Sequence, residues 1–246
     1  MKTLLITDRV ARMAVLTTLS DATVRYDSHA ALAGVSLEIQ RAAITVVVGH
    51  NGSGKSTLLG VLAGTTALTT GSLEWQDFDA SPGRIASVPQ HARLPEGFPI
   101  TLEAAVAMGR WANRRGVPRV FARRGGPTPG AGRSERVRRP DSEHVREALE
   151  QLGLSPLRRR LLGELSGGQR QRTLVAQGIA QDTELLLLDE PTAGVDAESS
   201  ARIAVCLETL AARGKTIVVA SHDAHEIASA DVVVALRNGR MAPGDR

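Results

Sequence analysis
Apolar residues fall along the chain in two rhythms. Short unbroken runs, "AITVVVG" (Ala43–Gly49), "TELLLLDEP" (Thr183–Pro191) and "KTIVVASHD" (Lys215–Asp223), are β-branched or leucine-rich and bounded by polar residues. Their length and composition predict strands buried on both faces of a parallel sheet. "RIASVPQ" (Arg84–Gln90) reads as another short strand. "TVRY" (Thr23–Tyr26) and "VSLEI" (Val35–Ile39) read as β-runs joined by a polar turn, and "VVVALRNGR" (Val232–Arg240) as a hairpin over Asn238-Gly239. The other rhythm is helical. It covers Ser56–Ala63, "TLEAAVAMGRWA" (Thr101–Ala112) with Thr101 as N-cap, and "ARIAVCLETL" (Ala201–Leu210). In "DSEHVREALEQLGL" (Asp141–Leu154), Asp141 or Ser142 is the expected cap, and Val145, Leu149 and Leu152 form the apolar stripe. Strands alternating with helices predict an α/β fold, with a mainly helical lobe at about 95–165 inserted into it.

Composition refines this picture. With 246 residues and 42% hydrophobic content, the chain can bury one good core. No apolar run approaches the ~18 residues a bilayer span needs. Residues 1–13 read as a disordered appendage. Met13 is as plausible a start as Met1, and Asp8, Arg9 and Arg12 make the segment a poor signal peptide. The single cysteine, Cys206, sits in an apolar helical pattern and reads as a core thiol, with no partner for a disulfide. The net charge of +4 is local in origin: Arg110–Pro140 holds ten arginines and one acid, and the remainder carries −5. Basicity is therefore confined to one Arg/Gly/Pro-rich insertion at about 112–140, and nucleic acid is not an expected partner. Lysine is rare, at 2, 55 and 215 only, against 27 arginines. A lysine kept at 55 invites a specific reason.

That reason is "GHNGSGKST", Gly49–Thr57, which matches G-x-x-x-x-G-K-[ST] between a buried strand and a helix. Backbone N–H groups of Gly49, His50, Asn51, Gly52, Ser53 and Gly54 surround phosphate oxygens in such a loop. Lys55 is a compact cation suited to the β- and γ-phosphates, and Ser56, followed by Thr57, is placed for Mg²⁺. The side chain of His50 is expected in solvent. "LLLLDE" puts Asp189 and Glu190 at a strand's C-terminal end, where ligands bind in open α/β sheets. Asp189 suits a direct or outer-sphere Mg²⁺ contact, and Glu190 a general base for water. His222 closes another strand and is a candidate contact for the γ-phosphate or the water. Gln90 is a candidate for Mg²⁺ and the water. His225 and Glu226 have no third ligand spaced to complete a metal site. "GELSGGQRQRT" (Gly163–Thr173) sets a serine and two glycines before a basic helix, and two adjacent glycines imply a close approach to the backbone.

Together these residues resemble the ATP-binding cassette (ABC) family over about residues 16–240. "LSGGQ" (Leu165, Ser166, Gly167, Gly168, Gln169) is similar to the family signature, and "LLLLDEPTAGVD" to Walker B and the D-loop ending at Asp196. Tyr26, the only tyrosine, matches the aromatic that stacks on adenine; Gln90 matches the Q-loop and His222 the H-loop. The resemblance implies a P-loop NTPase core with a mainly parallel sheet, an N-terminal antiparallel β subdomain and an inserted α-helical subdomain. It implies an ATPase using ATP and Mg²⁺ that pairs head-to-tail with a second copy, so that each signature faces the other copy's nucleotide. It further implies a transmembrane permease, a cytoplasmic position on the inner face of the membrane and, indirectly, an extracytoplasmic substrate-binding protein. "TLEAAVAMGR" and "LLLLDEPTAGVDAES" resemble the ATPases of bacterial zinc/manganese importers. Siderophore or cobalamin importers and exporters are the alternative, and a non-transport ABC ATPase a further one. The Arg-rich insertion is expected to contact permease loops or anionic headgroups, or to be a solvated loop.

Overall fold
The computed structural model describes residues 14–81, 83–90, 99–113 and 139–242. The N-terminal appendage, the stretch just after Gln90 and most of the Arg-rich insertion lie outside the described residues.

The chain opens with a long hairpin, β1 (Val15–Tyr26) and β2 (His29–Gln40). Both strands run well beyond the short apolar patterns that announce them, because each pairs along its length with the other and β1 pairs on its other side with β4 (Thr70–Trp75). This antiparallel sheet has the order β2-β1-β4. Between its strands the chain enters a second sheet through β3 (Ile44–Val48) and then helix α1 (Lys55–Leu62). The second sheet takes β5 (Ile85–Val88), β6 (Leu185–Asp189), β7 (Thr216–Ala220), β8 (Val232–Arg237) and β9 (Arg240–Met241). Its order is β5-β6-β7-β3-β8-β9, parallel except for the final β8–β9 hairpin. Asn238 (φ 50°) and Gly239 (φ 74°) form that turn with the two left-handed residues a tight hairpin requires.

Side chains on the central strands alternate between two cores, as the two-residue period of a strand dictates. Ile44, Val46, Leu186, Leu188, Ile217 and Val219 face one core. Val47, Leu185, Leu187, Val218 and Ala220 face the other. The second core is closed by the antiparallel sheet and α1. The first is closed by four helices: α2 (Leu102–Met108), α3 (Arg139–Gln151), α4 (Gly167–Ile179) and α5 (Ala197–Ala212). A short α6 (Ala224–Ser229) follows β7.

Thr101 caps α2, its Oγ1 accepting from Ala104 N at 3.3 Å. Helix α3 begins at Arg139, ahead of the expected caps Asp141 and Ser142. Pro140 tolerates this because a helix's first turn makes no use of its missing N–H. The predicted stripe Val145, Leu149 and Leu152 is buried. Cys206 is buried too; its Sγ lies 3.3 Å from Gln151 Oε1, and burial pushes the thiol up to about 12.

Candidate functional site
Adjacent strands β6, β7 and β3 run parallel, so their C-terminal ends deliver three loops to one edge of the sheet. The loop after β3 is the glycine-rich one. Gly54 precedes α1 at φ 106°, a left-handed conformation that favours glycine. A Cβ there would also meet Ala31 O at 2.6 Å, and one at Gly49 would meet Leu236 O at 2.3 Å. The loop is thus pressed against β2 and β8. The β8–β9 turn braces it: Gly239 N donates to Ser53 O (2.9 Å), and Gly239 O accepts from Ala33 N (2.7 Å). Ser53 Oγ is buried and has no hydrogen-bond partner among the described residues.

Lys55 is 5% exposed, with Nζ 2.8 Å from Gly49 O and 3.4 Å from Glu190 Oε1. Glu190, 8% exposed, presents its other oxygen to His222 Nδ1 at 3.3 Å. Its backbone is left-handed (φ 47°), and its N–H donates to Ala220 O of β7 at 2.8 Å. A non-glycine residue in that conformation costs about 1–3 kcal/mol and persists only where its surroundings dictate it. Here the turn swings the carboxylate from the strand axis to a place between Lys55 and His222. His222 itself is largely exposed.

These groups border an open cleft of about 380 Å³ lined by Tyr26, His29, Ala31, Asn51 to Thr57, Gln90 and Glu190. The fold therefore gathers Tyr26, the glycine-rich loop, Gln90 and Glu190, with His222 touching Glu190. Asp189 ends β6 half-buried and is not on the cleft wall. His50 is exposed, as expected, with Nδ1 2.8 Å from Asn51 O. His29 and Ala31 were not legible as site residues: they reach the cleft only because the hairpin register sets His29 opposite Tyr26.

Leu165–Gln169 do not line this cleft. Ser166 caps α4 by a reciprocal box, with Gln169 N donating to Ser166 Oγ (3.2 Å) and Ser166 N to Gln169 Oε1 (3.1 Å). The two glycines differ. Gly167 is exposed, and a Cβ there meets nothing within 4 Å. Gly168 is buried, and a Cβ would meet Asp196 Oδ2 at 2.6 Å and Ser199 Oγ at 2.7 Å. The close approach read from the glycine pair is thus, at Gly168, an approach by the chain's own Asp196 and Ser199. Asp196 caps α5 through Ser199 N (2.8 Å), and this bond, with that from the Ser199 hydroxyl, holds its carboxyl below the usual range.

One buried acid had no signal in the sequence. Glu226 is 2% exposed, and burial, reinforced by Asp223 and opposed by Ser221, Thr192 and His222, pushes its carboxyl above the ordinary 4.5. A raised folded value makes its contribution to stability complete below about pH 4.5, with loss as pH rises through the folded value. Relative to Glu226→Gln, the wild-type melting temperature is expected to fall as pH rises above about 4.5 and then to level off, measured by calorimetry at about half-unit steps. A constant difference would contradict this. Among the described residues no group of three or more His, Cys, Asp or Glu is arranged to hold a metal, and no helix is long and apolar enough to cross a membrane.

Comparison with known proteins gives a consistent result. The family model "ABC transporter" matches residues 32–193, more than half of the chain. The chain is 35% identical over 225 residues to a manganese transport system ATP-binding protein of Listeria monocytogenes, covering 90% of this chain and 87% of that one. It is 34% identical to a zinc transport system ATP-binding protein of Treponema pallidum, covering 90% and 77%. A nucleotide-free ATP-binding cassette from an ABC transporter superposes with TM-score 0.74 at 22% identity, covering 93% and 90%, which shows the fold alone.

Proposed function
Because the chain belongs to the ABC transporter family as its ATP-binding subunit, we propose that it hydrolyses ATP to drive a membrane permease that imports a divalent metal such as zinc or manganese. The observation that carries the hydrolytic part is Glu190, poised between Lys55 (3.4 Å) and His222 (3.3 Å) at the edge of the cleft. The relatives named for manganese and zinc transport support the cargo.

In this reading Tyr26 stacks on adenine, and the amides of residues 49–57 with the start of α1 hold the phosphates. The orphaned Ser53 hydroxyl is a buried group that a phosphate oxygen would satisfy. Phosphate competes with Gly49 O for Lys55 Nζ. Ser56, Gln90 and Asp189 offer the hard oxygen donors that suit Mg²⁺, and Ser56 and Gln90 both line the cleft. That ion would neutralise charge on the β- and γ-phosphates. Glu190 takes a proton from the attacking water as its oxygen bonds to the γ-phosphorus. The bond to the bridging oxygen breaks, and ADP, phosphate and the proton leave. His222 orients Glu190 and the water. Gly167 and Ser166, off the cleft, serve the ATP of a second copy arranged head-to-tail, and closure of that pair works the permease on the inner membrane face.

Stacking on a base contributes about 1–3 kcal/mol, so Tyr26→Ala should raise the KM for ATP about 5- to 150-fold with kcat little changed, while Tyr26→Phe stays near wild type. An unchanged KM in steady-state assays would remove Tyr26 from the site.

The proposal as a whole is tested by expressing the chain with a candidate metal permease in cells lacking their own metal uptake. Radioactive manganese or zinc should accumulate, and Glu190→Gln should abolish accumulation. Uptake of a siderophore or cobalamin and not of the metals would overturn the cargo. A membrane pull-down yielding ribosomal or DNA-repair proteins and no permease would overturn transport.

A further inference from the structure
The turn between β8 and β9 does more than close a hairpin. Asn238 is exposed, but Gly239 is buried where β2, the glycine-rich loop and the turn meet. Its two backbone groups bond to different neighbours. The N–H donates to Ser53 O of the glycine-rich loop at 2.9 Å, and the C=O accepts from Ala33 N of β2 at 2.7 Å. Ser53 is fixed from its other side as well, its own N–H donating to His50 O at 3.0 Å. That holds Ser53 on the cleft wall, where its buried hydroxyl has no partner among the described residues. The junction has no spare room. Ala31 O lies against both glycines: a Cβ would meet it at 2.6 Å on Gly54 and at 2.7 Å on Gly239. The Cβ on Gly239 would also meet Leu32 Cα at 3.3 Å. These are backbone atoms, with no flexible end to swing away.

The cleft that this junction borders is assembled from two sources. Tyr26, His29 and Ala31 come from the antiparallel hairpin, and Asn51 to Thr57 from the segment after β3. In the proposed reading ATP spans the two, with its base on Tyr26 and its phosphates in the loop. A ligand held at both ends binds tightly only when the two subsites stand at the right separation.

From this arrangement we infer that Gly239 is a positioning residue for ATP: bonded to β2 through one backbone group and to the glycine-rich loop through the other, it sets the spacing between the adenine and phosphate ends of the cleft. The inference rests on the proposed placement of ATP. Gly239 does not touch the nucleotide; it acts through Ala33 and Ser53.

Three variants test this. Gly239→Ala puts a methyl against Ala31 O on a left-handed backbone (φ 74°), so the turn and β2 must part. Ala33→Pro removes the N–H that Gly239 O accepts and adds nothing at Gly239. Asn238→Ala, at φ 50°, strains the same turn and leaves the bridge intact. Dissociation constants are measured for Mg-ATP, for adenosine and for inorganic tripolyphosphate, with melting temperature as the check on folding. In Gly239→Ala and Ala33→Pro, Mg-ATP should bind about tenfold or more weakly, while adenosine and tripolyphosphate, each using one end only, stay within about twofold of wild type. Turnover at saturating ATP should stay within about threefold. Asn238→Ala should bind all three like wild type. Unchanged ATP affinity in Gly239→Ala would overturn the inference. So would a loss of tripolyphosphate as large as that of ATP, which would make Gly239 a support of the loop alone. An equal loss in Asn238→Ala would overturn it too and assign the effect to turn strain. Where Gly239→Ala fails to fold, Ala33→Pro carries the test; failure of both to fold would make the turn a folding element and overturn the inference. If Tyr26→Ala leaves ATP affinity unchanged, the proposed placement of adenine falls, and this inference with it. If Tyr26→Ala weakens ATP while both bridge variants bind it normally, the placement stands and this inference fails.

Discussion

Glu190→Gln should turn over ATP about 10²–10⁴-fold more slowly than wild type, the range over which a positioned general base acts. Glutamine has the shape of glutamate and still offers an oxygen to Lys55. It has no basic oxygen for water's proton. Lys55 loses its ion pair at 3.4 Å but keeps its bond to Gly49 O at 2.8 Å, so the loop stays in place. Removing the anion also frees Lys55 for phosphate, so ATP should bind as tightly or more tightly. The left-handed backbone at 190 belongs to the turn and is unchanged by the swap. A phosphate-release assay paired with equilibrium nucleotide binding checks both halves. Turnover within about threefold of wild type would remove Glu190 as the base and leave Asp189 or His222 as the alternatives.

The two signature glycines should respond to alanine in opposite ways. At Gly168 the new methyl meets Asp196 Oδ2 and Ser199 Oγ, both held by the cap of α5 and neither at the end of a flexible chain. Overpacking of this kind costs about 1–3 kcal/mol, so Gly168→Ala should lower stability measurably by denaturant titration and shift the start of α4. At Gly167 the methyl meets nothing in the chain. Gly167→Ala should therefore melt within about 0.5 kcal/mol of wild type, as exposed substitutions usually do. Any loss of ATPase activity in it must arise outside the protomer. A bulkier Gly167→Arg, still folded but inactive at protein concentrations where wild type is active, would locate the effect on a second copy. Equal destabilisation at both positions would mean the two glycines share one structural role.

The parts of this molecule that were legible in the sequence are those where one strong local rule acts alone. The runs at 44–48, 185–189 and 216–220 are strands because they are too short for a buried helix, rich in β-branched residues or leucine, and bounded by polar residues. Lys55 was legible because a chain this rich in arginine uses lysine so seldom. What could not be read depends on register or on long-range contact. β4 lacks a clean alternation, having half-exposed positions along an edge, and is a strand because β1 is there to pair with it. The start of α3 at Arg139 is not legible because proline at a first turn looks like a break. His29 and Ala31 enter the cleft through hairpin register, and the contact of Gly168 with Asp196 spans two helices. The burial of Glu226 has no local signal, since no sequence pattern marks an acid as buried.

The head-to-tail pair is the claim on which coupling to a permease depends, and one measurement addresses it directly. The mass of Glu190→Gln in solution is determined by sedimentation with and without Mg-ATP. The account predicts the 26.0 kDa monomer without nucleotide and twice that mass with it, and predicts that adding Gly167→Arg restores the monomer without loss of ATP binding. A monomer at saturating Mg-ATP, with ATP bound, would contradict it.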